Sequence, residues 1–537
     1  MNVVIIGSGV AGLMAAEQIA GMPGVQLDII STGAGASPYI HGFNIPLYEQ
    51  DSIEVFMKDT LESGYYLSNP DLIECLCQDS VKLLPELERM GIELEKKNGS
   101  YVLLKPLGST FPRVASSGNH TGVDILNRLR SRLESCKTVH FHKNTRALKI
   151  FVKDNKPAGV AVYHERIGSY ECLNAQCIIM ACGGYSGIYP FSTNSSDIGG
   201  DGIAMAYQAG IPLIDMEFIQ FEPSVALYPE GVIGKSVITT MFYEGAVLRN
   251  RNGKRFMKAS DTEPGECVNK DVLSKAIYEE ILKGDATEHG GVYFDATGVG
   301  KKKLEESYSS YVKRYRDVGM DITAEPFEIA PAPHTSLGGV MIDKNCSTNI
   351  PGIFAAGEII GGLHGANRIG GNAGLETLVF GKKAGVEAGH YLLGVSGQNA
   401  VIKGYDLLKE ETAGAANIKE ARLKEFRTEM QRLLADNFYV IREGSKMEPA
   451  KIQLKMMMDE LKASKAPAAI YQKLRLENDL TCAWLLASAA CYRTESVGCH
   501  VRKDHSDRDC HYHVILKKEQ EELKIYQQSC KEKKVRS

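Results

Sequence analysis

Three glycines near the amino end have the spacing to hold a phosphate. Gly7, Gly9 and Gly12 follow the β-prone run Val3-Val4-Ile5-Ile6 in G-x-G-x-x-G order, and a helical pattern carried by Leu13, Ala15, Ala16 and Ile19 comes next. A second β-prone run, Val25 to Ile30, completes strand, turn, helix and strand within about 30 residues, as a dinucleotide-binding unit requires. Gly7 permits the tight turn, Gly9 lets the backbone approach a pyrophosphate, and Gly12 lets the helix pack on the sheet. Val10 and Ala11 open that helix, whose positive end faces the anion. Ser31 stands where an acidic residue usually holds the ribose, while Asp28 falls inside the strand. A hydroxyl can still bond a ribose, more weakly than a carboxylate does. No second glycine cradle follows a later strand, so one dinucleotide is expected, and FAD alone fits better than FAD with NAD(P)H.

A second group of reactive side chains lies near the carboxyl end: Cys482, Cys491, Cys499 and Cys510, with His500, His511 and His513. The 13 cysteines of the chain form no C-x-x-C pair, which argues against a zinc or iron–sulfur site. Buried free thiols are the expectation, with no metal, in a reducing compartment.

The elements that must position these groups belong to an ordinary globular chain. Its 537 residues are 44% hydrophobic and 24% charged, with a net charge of −4. That length exceeds one simple core, so two or three regions are expected. The charge gives no support for a nucleic-acid partner. No apolar run approaches the roughly 18–20 residues of a spanning helix, and the amino end lacks the basic region and cleavage site of a signal peptide. The expected protein is not an integral membrane protein, and its expected location is cytoplasmic.

Further strands run into glycine turns at Cys177–Gly184 and Gly352–Glu358, and Gly199-Gly200-Asp201-Gly202 leads into a helix. These blocks, with DSIEVFMKDTLESG (51–64), EFIQFEP (217–223), NKDVLSKAI (269–277), PHTSLGGVMID (333–343), LHGANRIGGNA (363–373) and RTESVGCH (493–500), stand in one order over nearly the whole chain. The chain resembles the flavoprotein family of fumarate reductase, succinate dehydrogenase and L-aspartate oxidase. The resemblance implies an α/β fold: a discontinuous Rossmann-like FAD-binding domain (1–225 and 335–395), an α+β capping domain (226–334), a helical C-terminal domain (400–515) and a charged tail (516–537), helical or frayed. It also implies FAD contacts from Gly42, Ala181, Gly183, Asp201, Gly357, Glu358, Asn372 and Ala373, besides the glycine cradle. The histidine that attaches FAD covalently in many relatives falls on Ala36, and His41 is off register, so non-covalent FAD is expected.

The same resemblance assigns the chemistry. Hydride passes between flavin N5 and one carbon of a carboxylic acid, a protein group exchanges a proton with the neighbouring carbon, and cationic groups clamp the carboxylates. His334 and Arg368 match the family's substrate-binding residues. Three positions depart: a family histidine is Glu222, a family glutamate is Thr239, and the proton-delivering arginine is Lys270, followed by Asp271. Lysine loses a proton more readily than arginine when desolvated, so Lys270 is a candidate acid or base. A salt bridge from Lys270 to Glu222 or Asp271 is its structural alternative. An ionised Glu222 would repel a second carboxylate, so the expected substrate is a small acid other than plain fumarate, with a neutral or cationic group facing Glu222. L-aspartate oxidation, with an imine product, is the first alternative. A flavin-binding protein without catalysis is the second. With one cradle and no cysteine cluster, electrons are expected to leave through oxygen, a small carrier or a protein partner.

Overall fold

The computed structural model describes residues 1–257, 265–395, 416–466, 469–505 and 512–530. Five parallel strands form its central sheet, in the order Ile353–Ala355, Cys177–Met180, Asn2–Ile6, Gln26–Ser31 and Val139–Lys143. Residues 3–6 and 177–180 are buried without interruption, the pattern of a parallel sheet covered on both faces. The first helix, Val10–Ile19, packs on the long helix Asn372–Leu393, so two segments more than 350 residues apart share one core with the sheet.

A second core lies in the cap. Its antiparallel sheet runs Ile219–Ala226, Phe327–Ser336, Val292–Asp295 and Val247–Arg249. Phe294 and Phe327 stack at 5.1 Å between centroids, in one core with Leu248, Leu273 and Ile277. The helix Lys270–Leu282 packs on this sheet, so its first residue comes to lie beside strand Ile219–Ala226. Helices Glu420–Asn437, Gly444–Lys462 and Ile470–Tyr492 pack against one another beyond the FAD-type unit. No helix among the described residues is long and apolar enough to cross a membrane.

The charged tail is neither helical nor frayed over its described part. Tyr512–Glu519 and Glu522–Ser529 form an antiparallel hairpin, joined to the molecule through Leu213–Ile214. Val514, Ile515 and Leu516 are buried, which secures the first strand. The turn residues Gln520 and Glu521 have φ of +48° and +68°. A two-residue hairpin turn with both φ positive is normally marked by Asn-Gly or Asp-Gly. Neither occurs here, which is why charge content alone points to a helix.

This hairpin is tied down by ionised groups. His513 Nδ1 lies 2.6 Å from Asp215 Oδ2, and Asp215 also accepts from Arg493 at 3.2 Å and from the Val514 amide at 2.9 Å. Burial lowers the imidazolium pKa, but Asp215, aided by Cys530, outweighs it and raises the value to about 10. A folded-state pKa raised above the unfolded value adds stability that is complete below about pH 6.5 and is lost as pH climbs toward 10. Thermal denaturation should therefore show Tm falling across that window by the equivalent of a few kcal/mol, and His513→Asn should flatten the fall. Parallel profiles for the two proteins would exclude the pair as its cause.

Candidate active site

One cavity of about 1020 Å³ runs from the glycine turn to the junction with the cap. Its size lies at the upper end of the roughly 300–1000 Å³ typical of small-molecule sites, as an extended dinucleotide requires. Gly7 has φ of +117°, and a methyl group there would lie 2.1 Å from the Ala181 carbonyl oxygen. A methyl group on Gly12 would lie 2.1 Å from the Gly7 carbonyl oxygen. Both positions therefore admit only glycine, and the turn opens its amides toward the cavity. The Val10 amide donates to Ser37 Oγ at 2.9 Å, which pins the loop after the second strand over the start of the helix.

Gly7, Gly9, Ala11, Ser31, Gly42 and Ala181 line the cavity, as do Gly183, Asp201, Gly357, Glu358 and Ala373. Val10, Gly12 and Asn372 do not line it and act from behind. Asn372 accepts from Asn44 at 2.7 Å, at the start of a helix whose N-terminal Gly371 and Ala373 face the cavity. Asp28 is engaged elsewhere, with His142 Nε2 at 2.7 Å. Asp201 is held by Arg146 at 2.7 Å and Asn478 at 3.2 Å. Glu358 accepts from Thr335 at 2.8 Å and the Ser336 amide at 3.0 Å, and burial keeps its pKa above the usual carboxylate value. These residues, including the glycine cradle and the helix start at Asn372, fit a bound FAD.

The far part of the cavity collects the remaining candidates. Strands Ile219–Ala226 and Phe327–Ser336 pair Gln220 with Thr335 and Phe221 with Pro333, which brings Glu222 and His334 together. His334 Nε2 lies 4.0 Å from Glu222 Oε2, and its Nδ1 lies 2.8 Å from Thr193 Oγ1. Burial, then the cations Lys270 and Arg368, hold His334 well below its usual pKa. It is a neutral imidazole, with one ring nitrogen that donates and one that accepts. Lys270 Nζ donates to Glu222 Oε2 in a tight ion pair. Of the two salt bridges considered for Lys270, this is the one that forms. Glu222 is therefore not a bare anion, and the repulsion expected of it is largely neutralised. Asp271 instead accepts from Tyr65 at 2.5 Å. Thr239 also lines the cavity.

Arg368 is 6% exposed, and a framework of hydrogen bonds fixes its loop. Gln220 Nε2 donates to the Arg368 carbonyl at 2.9 Å and to Asn367 Oδ1 at 2.8 Å, Asn367 donates to Ser63 Oγ at 2.9 Å, and His364 bonds Glu376. The guanidinium itself is poorly satisfied. Nη1 donates to the Ile369 carbonyl at 3.2 Å, and buried Nε has no partner. Burial lowers its pKa, yet an arginine keeps its proton. A buried, underused guanidinium that lines a cavity is a receptor for a planar anion.

Sequence reading gives no role to Thr193, Tyr311 or Arg314, all of which line this end. His41, set aside as a flavin attachment point, lines it too. No spacing marks them: they come from separate loops and a cap helix. Of the C-terminal cysteine and histidine group, Cys510 and His511 lie outside the described residues. His500 Nδ1 is taken up by Arg442 at 2.7 Å, and His513 by Asp215.

Comparison with known proteins adds the context. Residues 2–373 match the FAD binding domain family, and 427–536 match the fumarate reductase flavoprotein C-terminal family. The chain is similar to the fumarate reductase (CoM/CoB) flavoprotein-type chain of Methanothermobacter marburgensis, with 32% identity covering 94% of each. It is similar to L-aspartate oxidase of Synechocystis, with 28% identity covering 96% of each. In three dimensions it is similar to E. coli quinol fumarate reductase, with a TM-score of 0.90, 26% identity, and 99% and 97% of the two chains covered.

Proposed function

The chain belongs to the family of fumarate reductase, succinate dehydrogenase and L-aspartate oxidase flavoproteins, which are FAD-dependent oxidoreductases, and from that premise we propose that its substrate is a small carboxylic acid other than plain fumarate. Bound FAD supplies the hydride donor or acceptor, at its N5. Arg368 and His334 hold the carboxylate next to the reacting carbons. Lys270 exchanges a proton at the neighbouring carbon, and Glu222 aims the ammonium and sets its charge. FAD is held without a covalent bond. Electrons reach or leave the flavin through a small carrier or a partner protein.

The observation that carries this reading is the Arg368 guanidinium, buried in the cavity with its Nε unsatisfied. The Lys270–Glu222 pair supports a neutral or cationic group beside the reacting carbons, because a second carboxylate there would compete with Glu222 for the ammonium. Similarity to L-aspartate oxidase keeps aspartate, whose ammonium could face Glu222, as the second reading. A turnover panel tests both. Unsaturated acids bearing a hydroxyl or an amine should reoxidise the reduced enzyme faster than fumarate does. Fumarate and succinate turning over best would overturn the substrate reading, and aspartate-dependent peroxide formation in air would favour the second.

A further inference from the structure

The cavity holds a further cation without a carboxylate partner among the described residues. Arg314 belongs to the cap helix Ser309–Arg316, whose other cations face away: Lys313 is exposed, and Arg316 pairs with Glu305 at 2.8 Å and Asp321 at 3.2 Å. Arg314 instead lines the cavity, half-buried. Its Nη1 donates to the Ser236 carbonyl at 3.2 Å, and its guanidinium lies over the Tyr311 ring at 5.0 Å. One carbonyl and one ring face use a fraction of the five donors of a guanidinium.

Its place along the cavity follows from which groups feel one another. His41 feels Glu222, Lys270 and Arg314, whereas His334 feels Lys270, Arg368 and His41. Arg368 and His334 therefore form the buried end, Glu222 and Lys270 the middle, and His41 and Arg314 the far end. The exposed Lys235, which also lines the cavity, extends this positive rim.

We propose that Arg314 is a specificity-determining residue that binds a second, distal anionic group of the substrate, beyond the Glu222–Lys270 pair. The substrate class is then an acid with an anion at each end of a chain long enough to pass that pair, with its reacting carbons near Arg368. This rests on the reading that Arg368 clamps the first carboxylate. A guanidinium at each end fixes the chain along the cavity and leaves its middle against the proton-exchanging group.

The test compares acids that differ only in the distal group. FAD-loaded enzyme is titrated with hexanoate and adipate, and with pentanoate and glutarate, and binding is followed by perturbation of the flavin absorbance. In the wild type, the better diacid should bind at least about tenfold tighter than its monoacid, the worth of one charge-assisted contact. In Arg314→Gln that ratio should fall to near one, and in Arg314→Lys it should be partly kept. Equal binding of monoacids and diacids by the wild type would overturn the proposal, as would a ratio that survives in Arg314→Gln. Arg368→Gln should lose both series. If it binds both as the wild type does, the clamp reading fails, a result distinct from any change in the ratio.

Discussion

Arg368→Gln is expected to lower kcat/KM by about 10²–10³-fold while the protein stays folded and keeps its flavin. Truncating one partner of a buried, hydrogen-bonded charge pair costs about 2–5 kcal/mol, and each 1.36 kcal/mol is a factor of ten. Arg368 meets the conditions for the upper part of that range. It is 6% exposed, and its loop is held by Gln220, Asn367 and His364 rather than by the guanidinium. The side chain is therefore positioned by the fold and gives little back to it. Nε has no partner, and Nη1 makes one bond of 3.2 Å. Replacing such a cation with a neutral amide should leave Tm unchanged or raise it, because a buried charge without a partner costs stability. The signature is a large loss of kcat/KM with no loss of Tm. Arg368→Lys should fall between, since it keeps the charge and loses the planar fork. A kcat/KM within about fivefold of wild type in Arg368→Gln would remove the arginine from the substrate site.

The parts of this architecture that can be read from the chain are those where backbone geometry allows one residue type. Gly7 and Gly12 are such positions, because any side chain would meet the carbonyl of Ala181 or of Gly7 itself. A requirement of that kind survives as spacing in the sequence. Arg368, His334 and Lys270 are reached only through the resemblance of their segments to a family, since nothing in the local pattern says that residues tens of positions apart share one cavity. The strand register that joins Glu222 to His334, and the packing of the helix that begins at Lys270, supply that information only in three dimensions. The terminal hairpin shows the opposite failure. Its turn is built from Gln520 and Glu521 at positive φ, residues that carry no turn signal. The alternation of Leu523 and Ile525 with Glu522 and Lys524 is hidden by the charge of the segment. Arg314 is invisible for a simpler reason. A cap helix with three cations in four residues does not reveal which of them turns inward.

The pairing of Lys270 with Glu222 changes what the two departures from the family pattern mean. Taken singly, a carboxylate in place of a histidine repels substrate, and a lysine in place of an arginine weakens a clamp. Taken together they are one neutral unit, made by neighbouring elements of the cap and both lining the cavity. Lys270 sits in the first turn of its helix, where the dipole disfavours a cation, and the Glu222 carboxylate offsets that cost. The pair thereby brings a charged proton donor into a largely enclosed site without adding net charge next to the reacting carbons.

Lys270→Met is the variant that separates chemistry from charge balance. Loss of a positioned proton donor should lower kcat by about 10²–10⁴-fold, with a smaller change in KM, because Arg368 and His334 still hold the acid. It should also destabilise the protein, since Glu222 is 5% exposed and would lose its cation. A fall in activity alone is then ambiguous. The double variant Lys270→Met with Glu222→Gln resolves it, because the uncompensated charge is gone and Tm should recover toward wild type. Turnover should not recover, and single-turnover reoxidation of the reduced flavin by substrate should stay slow. Lys270→Arg should keep the ion pair and the stability while transferring the proton more slowly, as expected of a group that holds its proton more tightly. If the double variant regains wild-type kcat along with its Tm, Lys270 serves to neutralise Glu222, and the proton comes from another group in the cavity.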